Sequence, residues 1–182
     1  MPKLFLLSGT SGVGKTTIAY RLLEEMPNLA RLVTYISREP RPNEKNGEDY
    51  HFISRQEFEN KIANGEMFEY DEHYGNYYGN SKEDLEKIWK QNKIALILLD
   101  INGVKTIKKT FPEAKTIFIT PDNLENLKRR IRQRPMTDEA FAKRCEQIEK
   151  ELQESAKFDF IITNNEGELD STVKKVKEIL NG

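Results

Sequence analysis

The stretch Leu4-Phe5-Leu6-Leu7-Ser8-Gly9-Thr10-Ser11-Gly12-Val13-Gly14-Lys15-Thr16-Thr17-Ile18-Ala19 decides the fold. A short, wholly apolar run reads as a strand buried on both faces. The glycine-rich turn fits G-x-x-x-x-G-K-[ST], and an amphipathic helix opens at Lys15. Strand, phosphate-type loop and helix in that order begin an α/β fold. Gly9, Gly12 and Gly14 give the backbone freedom that lets successive N–H groups converge on phosphate oxygens. Lys15 adds a point charge at the β- and γ-phosphates, Thr16 offers a hydroxyl to Mg²⁺, and the start of the following helix favours an anion. With Ser11, Val13 and Thr17 these residues form a candidate nucleoside triphosphate cradle. The motif says nothing about where the phosphoryl group goes, because many unrelated activities share it.

Working outward, the spacing predicts strands over 3–8, 94–100, 115–120 and 158–163. Helices are predicted over 15–26, 103–111, 124–133 and 168–180. Strands that alternate with helices imply a parallel sheet with helices on both faces. The segment 32–80 differs in texture, with many charges, tyrosines and glycines. Within it, 49–54 reads as a strand, 54–64 as a helix, and 67–78 as a hairpin turning at Gly75-Asn76. A break at 134–137 separates two charged helices. One domain is expected: a core of 1–31, 81–133 and 145–182, an inserted lobe of 32–80, and a lid of 134–144.

Composition narrows the function classes. The 182 residues carry 29 Lys plus Arg against 30 Asp plus Glu, a net charge of −1, so the overall field gives no reason to expect nucleic acid. The single cysteine, Cys145, excludes an internal disulfide and any cysteine metal cluster. No apolar run approaches a membrane span or a signal-peptide core. A soluble, cytoplasmic chain is expected, monomeric or homodimeric.

The stretch Arg38-Glu-Pro-Arg41-Pro-Asn-Glu44-Lys-Asn-Gly47-Glu-Asp49-Tyr50-His-Phe52, followed by Glu69 and by Gly75-Asn-Tyr-Tyr78-Gly79, resembles the signature of the guanylate kinase family. The resemblance runs through nearly the whole chain in the family's order. It implies a P-loop nucleoside monophosphate kinase fold and transfer of a phosphoryl group from ATP, with Mg²⁺, to GMP. Arg38 and Arg41 supply forked, permanently charged donors suited to a phosphate dianion. The resemblance places them with Tyr50 and Tyr78 on the phosphate of GMP. It makes Glu69 the acceptor of guanine N1–H and N2–H, since a carboxylate answers two adjacent donors that adenine lacks. It further places Thr34 on O6, Asp100 near the base and the metal waters, and Asn164 near the adenine of ATP.

Three departures stand out. Asn80 replaces a Ser or Thr, though an amide N–H can still donate to O6. Leu98 replaces the first acid of an acidic-x-acidic strand, with Asn102 in place of a glutamine, and Ile36 interrupts a Thr-rich stretch. In the charged segment, Arg130 and Arg134 lie four residues apart on one helix face, a spacing that repels unless an anion intervenes. The resemblance makes Arg134 and Arg144 catalytic, with Arg130 supporting, across a lid one residue shorter than usual. Two other readings stay open: a P-loop kinase with AMP or a pyrimidine nucleotide as acceptor, and a non-catalytic interaction module. The presence of Lys15, Arg134 and Arg144 speaks against the module.

Overall fold

In a computed structural model, residues 3–42, 44–73, 75–133 and 135–182 are described. β1 (Leu4–Gly9) is buried along its whole length. It lies at the centre of a five-stranded sheet of order β2-β7-β1-β8-β9, formed with β2 (Leu29–Arg31), β7 (Ile94–Leu98), β8 (Lys115–Pro121) and β9 (Phe160–Asn164). Every pairing in this sheet is parallel. Such strands must be covered on both sides, and side chains alternate across the sheet. The sequence obeys this. Phe5 and Leu7 join Ile18, Leu22, Ile117, Val173 and Val176 in one core, while Leu4 and Leu6 join Leu32, Leu85, Ile97, Val104 and Ile107 in the other.

The first core is roofed by α1 (Lys15–Glu25) and α7 (Leu169–Asn181), the second by α3 (Lys82–Lys90) and α4 (Ile101–Thr110). Between α1 and α3 lies a second, four-stranded sheet of order β4-β3-β6-β5. It comprises β3 (Tyr35–Ile36), β4 (His51–Phe52), β5 (Met67–His73) and β6 (Asn76–Ser81), with α2 (Arg55–Ala63) between β4 and β5. α5 (Leu124–Arg132) and α6 (Asp138–Glu154) complete the chain.

The alternating α/β series is present as predicted, with differences at the edges. β2 and β3 were not expected, being three and two residues long, with β2 held by pairing with β7 and β3 by pairing with β4 and β6. α3 was also missed. α4 begins at Ile101 rather than 103 because the Asp100 carboxylate caps it, accepting from the Gly103 N–H. The hairpin reaches Ser81 and pairs His73 with Asn76, so Asn76 belongs to the strand and not to the turn as expected. Among the described residues no helix is long and apolar enough to cross a membrane.

Candidate active site

The cradle is built from backbone. β1 ends in Gly9, where an added Cβ would lie 2.3 Å from the Ile119 carbonyl oxygen, so no larger residue fits between β1 and β8. α1 starts behind Gly14, whose φ of 106° belongs to glycine, and no side chain caps it. By contrast α2, α3, α4, α5 and α6 are each capped by a Ser, Asp, Asn or Thr side chain. An uncapped helix start with no acid in its first turn presents free N–H groups and a partial positive charge to an anion. Lys15 folds over the same loop, donating from Nζ to the carbonyls of Gly9 (2.5 Å) and Thr10 (3.1 Å). Thr16 and Thr17 are exposed at the helix start.

Two elements brace the loop. Arg144 of α6 donates from Nη1 to the Ser11 hydroxyl (2.9 Å). From behind, buried Asn164 donates to the Val13 carbonyl (2.8 Å) and accepts from the Thr172 hydroxyl (2.9 Å). These contacts make Asn164 a support of the phosphate loop, a role that sequence spacing did not reveal. Arg130 of α5 is half-buried, and its Nε and Nη2 are buried without a hydrogen-bond partner. Arg134 lies outside the described residues.

The second sheet carries the candidate acceptor site. Glu69 on β5 is only 5 % exposed, and Asn80, its partner across the hairpin, is fully buried. Asn80 donates from Nδ2 to Glu69 Oε2 (2.8 Å), and Thr34 donates from Oγ1 to Asn80 Oδ1 (3.1 Å). Thr34, Asn80 and Glu69 thus form one buried chain of hydrogen bonds. Burial pushes the Glu69 carboxyl up to about 7, against the pull of the Asn80 amide and with a further push from Asp100 and Asp71. The hairpin can close this tightly because of Gly79, where a Cβ would lie 2.7 Å from the Glu69 carbonyl oxygen.

At the other end of the sheet the Arg38 guanidinium meets Glu44 through two 2.7 Å bonds, and Glu44 also accepts from the Arg41 backbone N–H (2.8 Å). The Arg38 charge holds the Glu44 carboxyl below the ordinary range. Arg38 stands 5.4 Å from the centroid of the Tyr50 ring, Tyr50 meets Tyr78 edge-on at 6.5 Å, and the Arg38 Nε is buried without a partner. Burial raises the Tyr50 hydroxyl above its ordinary range. The Arg41 side chain is exposed.

Between the sites, the start of α4 and α6 flank a cleft of about 340 Å³ lined by Asp100, Asn102, Lys105, Gln147 and Glu151, among others. Glu151 lies two helical turns beyond Arg144 on α6, the signal by which the sequence could have shown it. Burial raises its carboxyl while the Lys15 charge and the Ser11 N–H lower it, and its Oε2 is buried without a partner. Leu98 packs against the core and Ile36 is fully buried, so both departures are apolar packing positions here.

A family model described as guanylate kinase matches residues 1–182. The chain belongs to the guanylate kinase family. It is 41 % identical over 167 residues to a guanylate kinase from a Nostoc strain, covering 91 % of this chain and 84 % of that protein. To the guanylate kinase of Sus scrofa it is 38 % identical over 184 residues, covering 98 % and 92 %. A crystal structure of guanylate kinase from Anaplasma phagocytophilum superposes with a TM-score of 0.80 at 29 % identity, covering 99 % of this chain and 85 % of that one. The P-loop nucleoside monophosphate kinase fold and the enzyme class read from the sequence are thereby established for the chain.

Proposed function

We infer that this guanylate kinase family member transfers the γ-phosphoryl group of ATP to GMP, giving ADP and GDP. The observation that carries the acceptor assignment is Glu69: a buried carboxylate, pushed up to about 7, at the end of a hydrogen-bonded chain from Thr34 through Asn80. Such a group is costly to bury unless a ligand supplies donors, and the guanine edge supplies two side by side. Adenine has a bare ring nitrogen and a C–H at those two positions, and carries its amine where guanine has O6. Asn80 keeps its second amide N–H for O6, with Thr34 fixing its orientation through Oδ1.

The acceptor phosphate goes to Arg38, Arg41, Tyr50 and Tyr78. The Glu44 carboxylate on the Arg38 fork then marks where a second anion competes or shares. The triphosphate lies on the Gly9–Thr17 loop. Its incoming oxygens take over Lys15, which the loop carbonyls hold at the mouth of the cradle. Arg144 enters through Ser11 and Arg130 brings two unmatched donors, and Arg134 is assigned to the same phosphates from its sequence position. An acceptor phosphate is already anionic, so no base is required. Catalysis consists of alignment and of neutralising the charge on the transferring group.

The donor set suits magnesium carried in with the nucleotide. Among the described residues no group of three His, Cys, Asp or Glu side chains could hold a metal by itself, and the ion prefers few protein ligands, phosphate oxygens and water. The Thr16 hydroxyl is the protein ligand we assign, and Asp100 would act through water bound to the ion. When bound, magnesium would supply charge neutralisation to the phosphates of the triphosphate. We assign 32–80 as the GMP lobe and 134–144 as the lid over ATP, in a cytoplasmic enzyme acting on small molecules rather than on nucleic acid or membranes.

A coupled ADP-release assay with ATP, Mg²⁺ and GMP, dGMP, AMP or UMP tests the assignment. The expected result is turnover with GMP and dGMP at least ~100-fold above AMP and UMP in kcat/KM, the discrimination expected when a buried polar group is left unmatched. Faster turnover of AMP than of GMP would overturn it.

A further inference from the structure

Three arginines among the described residues carry buried N–H groups with no hydrogen-bond partner: Arg31, Arg38 and Arg130. The last two were assigned to phosphates from sequence. Arg31 was not, and nothing in the P-loop or the Arg-x-Pro-Arg motif draws attention to it.

Its position is informative. Arg31 is the last residue of β2, an edge strand of the five-stranded sheet, and pairs with Leu96 of β7. Nη2 donates to the Asp49 carbonyl (2.7 Å), next in the chain to Tyr50. The guanidinium lies 5.9 Å from the centroid of the Tyr20 ring, and the Tyr20 hydroxyl donates to Asp49 Oδ1 (2.8 Å). Asp49 Oδ2 accepts from the Lys45 N–H (2.9 Å), so the nearest carboxylate is committed elsewhere and makes no salt bridge with Arg31. Nε and Nη1 are buried without a hydrogen-bond partner. A half-buried guanidinium with two unmade bonds and no counter-charge is expensive, and its charge reaches the Tyr50 hydroxyl, lowering it against burial.

We propose that Arg31 is a third arginine of the acceptor-phosphate site, its Nε and Nη1 donating to the phosphoryl oxygens of the bound nucleoside monophosphate beside Tyr50. The inference rests on the assignment of GMP as acceptor. A phosphate dianion supplies both missing acceptors and the missing counter-charge, and the Asp49 carbonyl fixes the rotamer that presents the two free donors.

The test compares GMP with guanosine. In Arg31→Met, calorimetric GMP affinity falls roughly 10- to 100-fold, the loss expected for charge-assisted bonds, while guanosine affinity changes less than about 2-fold by the same reasoning. The ³¹P resonance of bound GMP titrates at higher pH in the variant, because a cation has left the phosphate; a residue that only props up the loop leaves that midpoint unmoved. Should Arg31→Met fail to fold, Arg31→Lys keeps the charge without the fork and weakens GMP alone by about 3- to 10-fold. GMP binding as tight as wild type, equal losses for GMP and guanosine, or an unmoved ³¹P midpoint in a folded variant overturns the proposal. Wild-type protein that turns over GMP while Arg31→Met behaves identically removes only Arg31. Wild-type protein that neither binds nor phosphorylates GMP removes the acceptor assignment itself.

Discussion

The proposed phosphate cradle and the proposed acceptor pocket would recognise anions in opposite ways. The cradle is nine consecutive residues, Gly9–Thr17, whose recognising groups would be backbone N–H donors and one lysine. Its supports, Arg144 at Ser11 and Asn164 at Val13, act from outside. The pocket is side chains from four separate segments, at 34, 38–41, 50 and 69–80, brought together by a small sheet whose strands are two to seven residues long. A backbone site can be conserved in shape by glycine geometry alone. A side-chain site must satisfy most of its buried polar atoms when empty, which is why Glu44 sits on Arg38 and Asn80 on Glu69, although the Arg38 Nε stays without a partner.

That contrast can be broken at its strongest point first. Lys15→Ala is expected to lower kcat by about 10²- to 10³-fold with little change in GMP affinity, because the lost charge acts on the transferring group. Thermal melting within a few degrees of wild type checks that the backbone cradle survives, and near-normal turnover would show that the loop needs no side-chain charge.

Glu69→Gln attacks the pocket instead. A loss of ~100-fold in kcat/KM for GMP is expected, with AMP little affected, since an amide cannot accept from both guanine donors. Steady-state kinetics on the two acceptors reads this directly. In wild type the KM for GMP should fall as pH rises from 6 to 8, because the carboxylate that guanine needs forms only as Glu69 titrates near 7. A pH-independent KM would remove Glu69 from base recognition.

The same carboxyl has a smaller consequence for stability. Its value is raised from the ordinary 4.5 to about 7, so the native state holds the proton more tightly than the unfolded chain. The stability gained from this is complete below about 4.5 and lost as pH rises through about 7. Glu69→Gln cannot ionise and should gain ~1–3 kcal/mol relative to wild type between pH 5 and 8, measured by denaturant titration. An unchanged difference across that range would contradict the burial argument.

Asn80→Ala is the mildest change. It leaves Glu69 Oε2 and the Thr34 hydroxyl unpaired, and a rise of about 5- to 10-fold in the KM for GMP is expected, one hydrogen bond's worth. If instead GMP binding improves, Asn80 competes with the base for Glu69 rather than orienting it.

The sequence was readable where structure is local. Leu4–Gly9 had to be a buried central strand because it has no polar side, and the glycine pattern after it had one sterically sensible use. α3 carried a signal that was passed over: Ser81 accepts from the Asp84 N–H three residues on, and Leu85, Ile88 and Trp89 then face the core. β2 and β3 carried none, because three and two residues have no period to display.

By itself, then, the sequence determined the parallel core and the glycine-rich loop and supplied the candidates for the phosphate-facing groups, since these follow from residue type and near-neighbour spacing. Only the tertiary structure decided which buried donors and acceptors find partners across 46 residues between Thr34 and Asn80, or 151 between Val13 and Asn164. It alone left Arg31 half-buried with its Nε and Nη1 unpartnered. Satisfaction of a polar atom is a property of everything packed around it, and no window of sequence contains that surrounding.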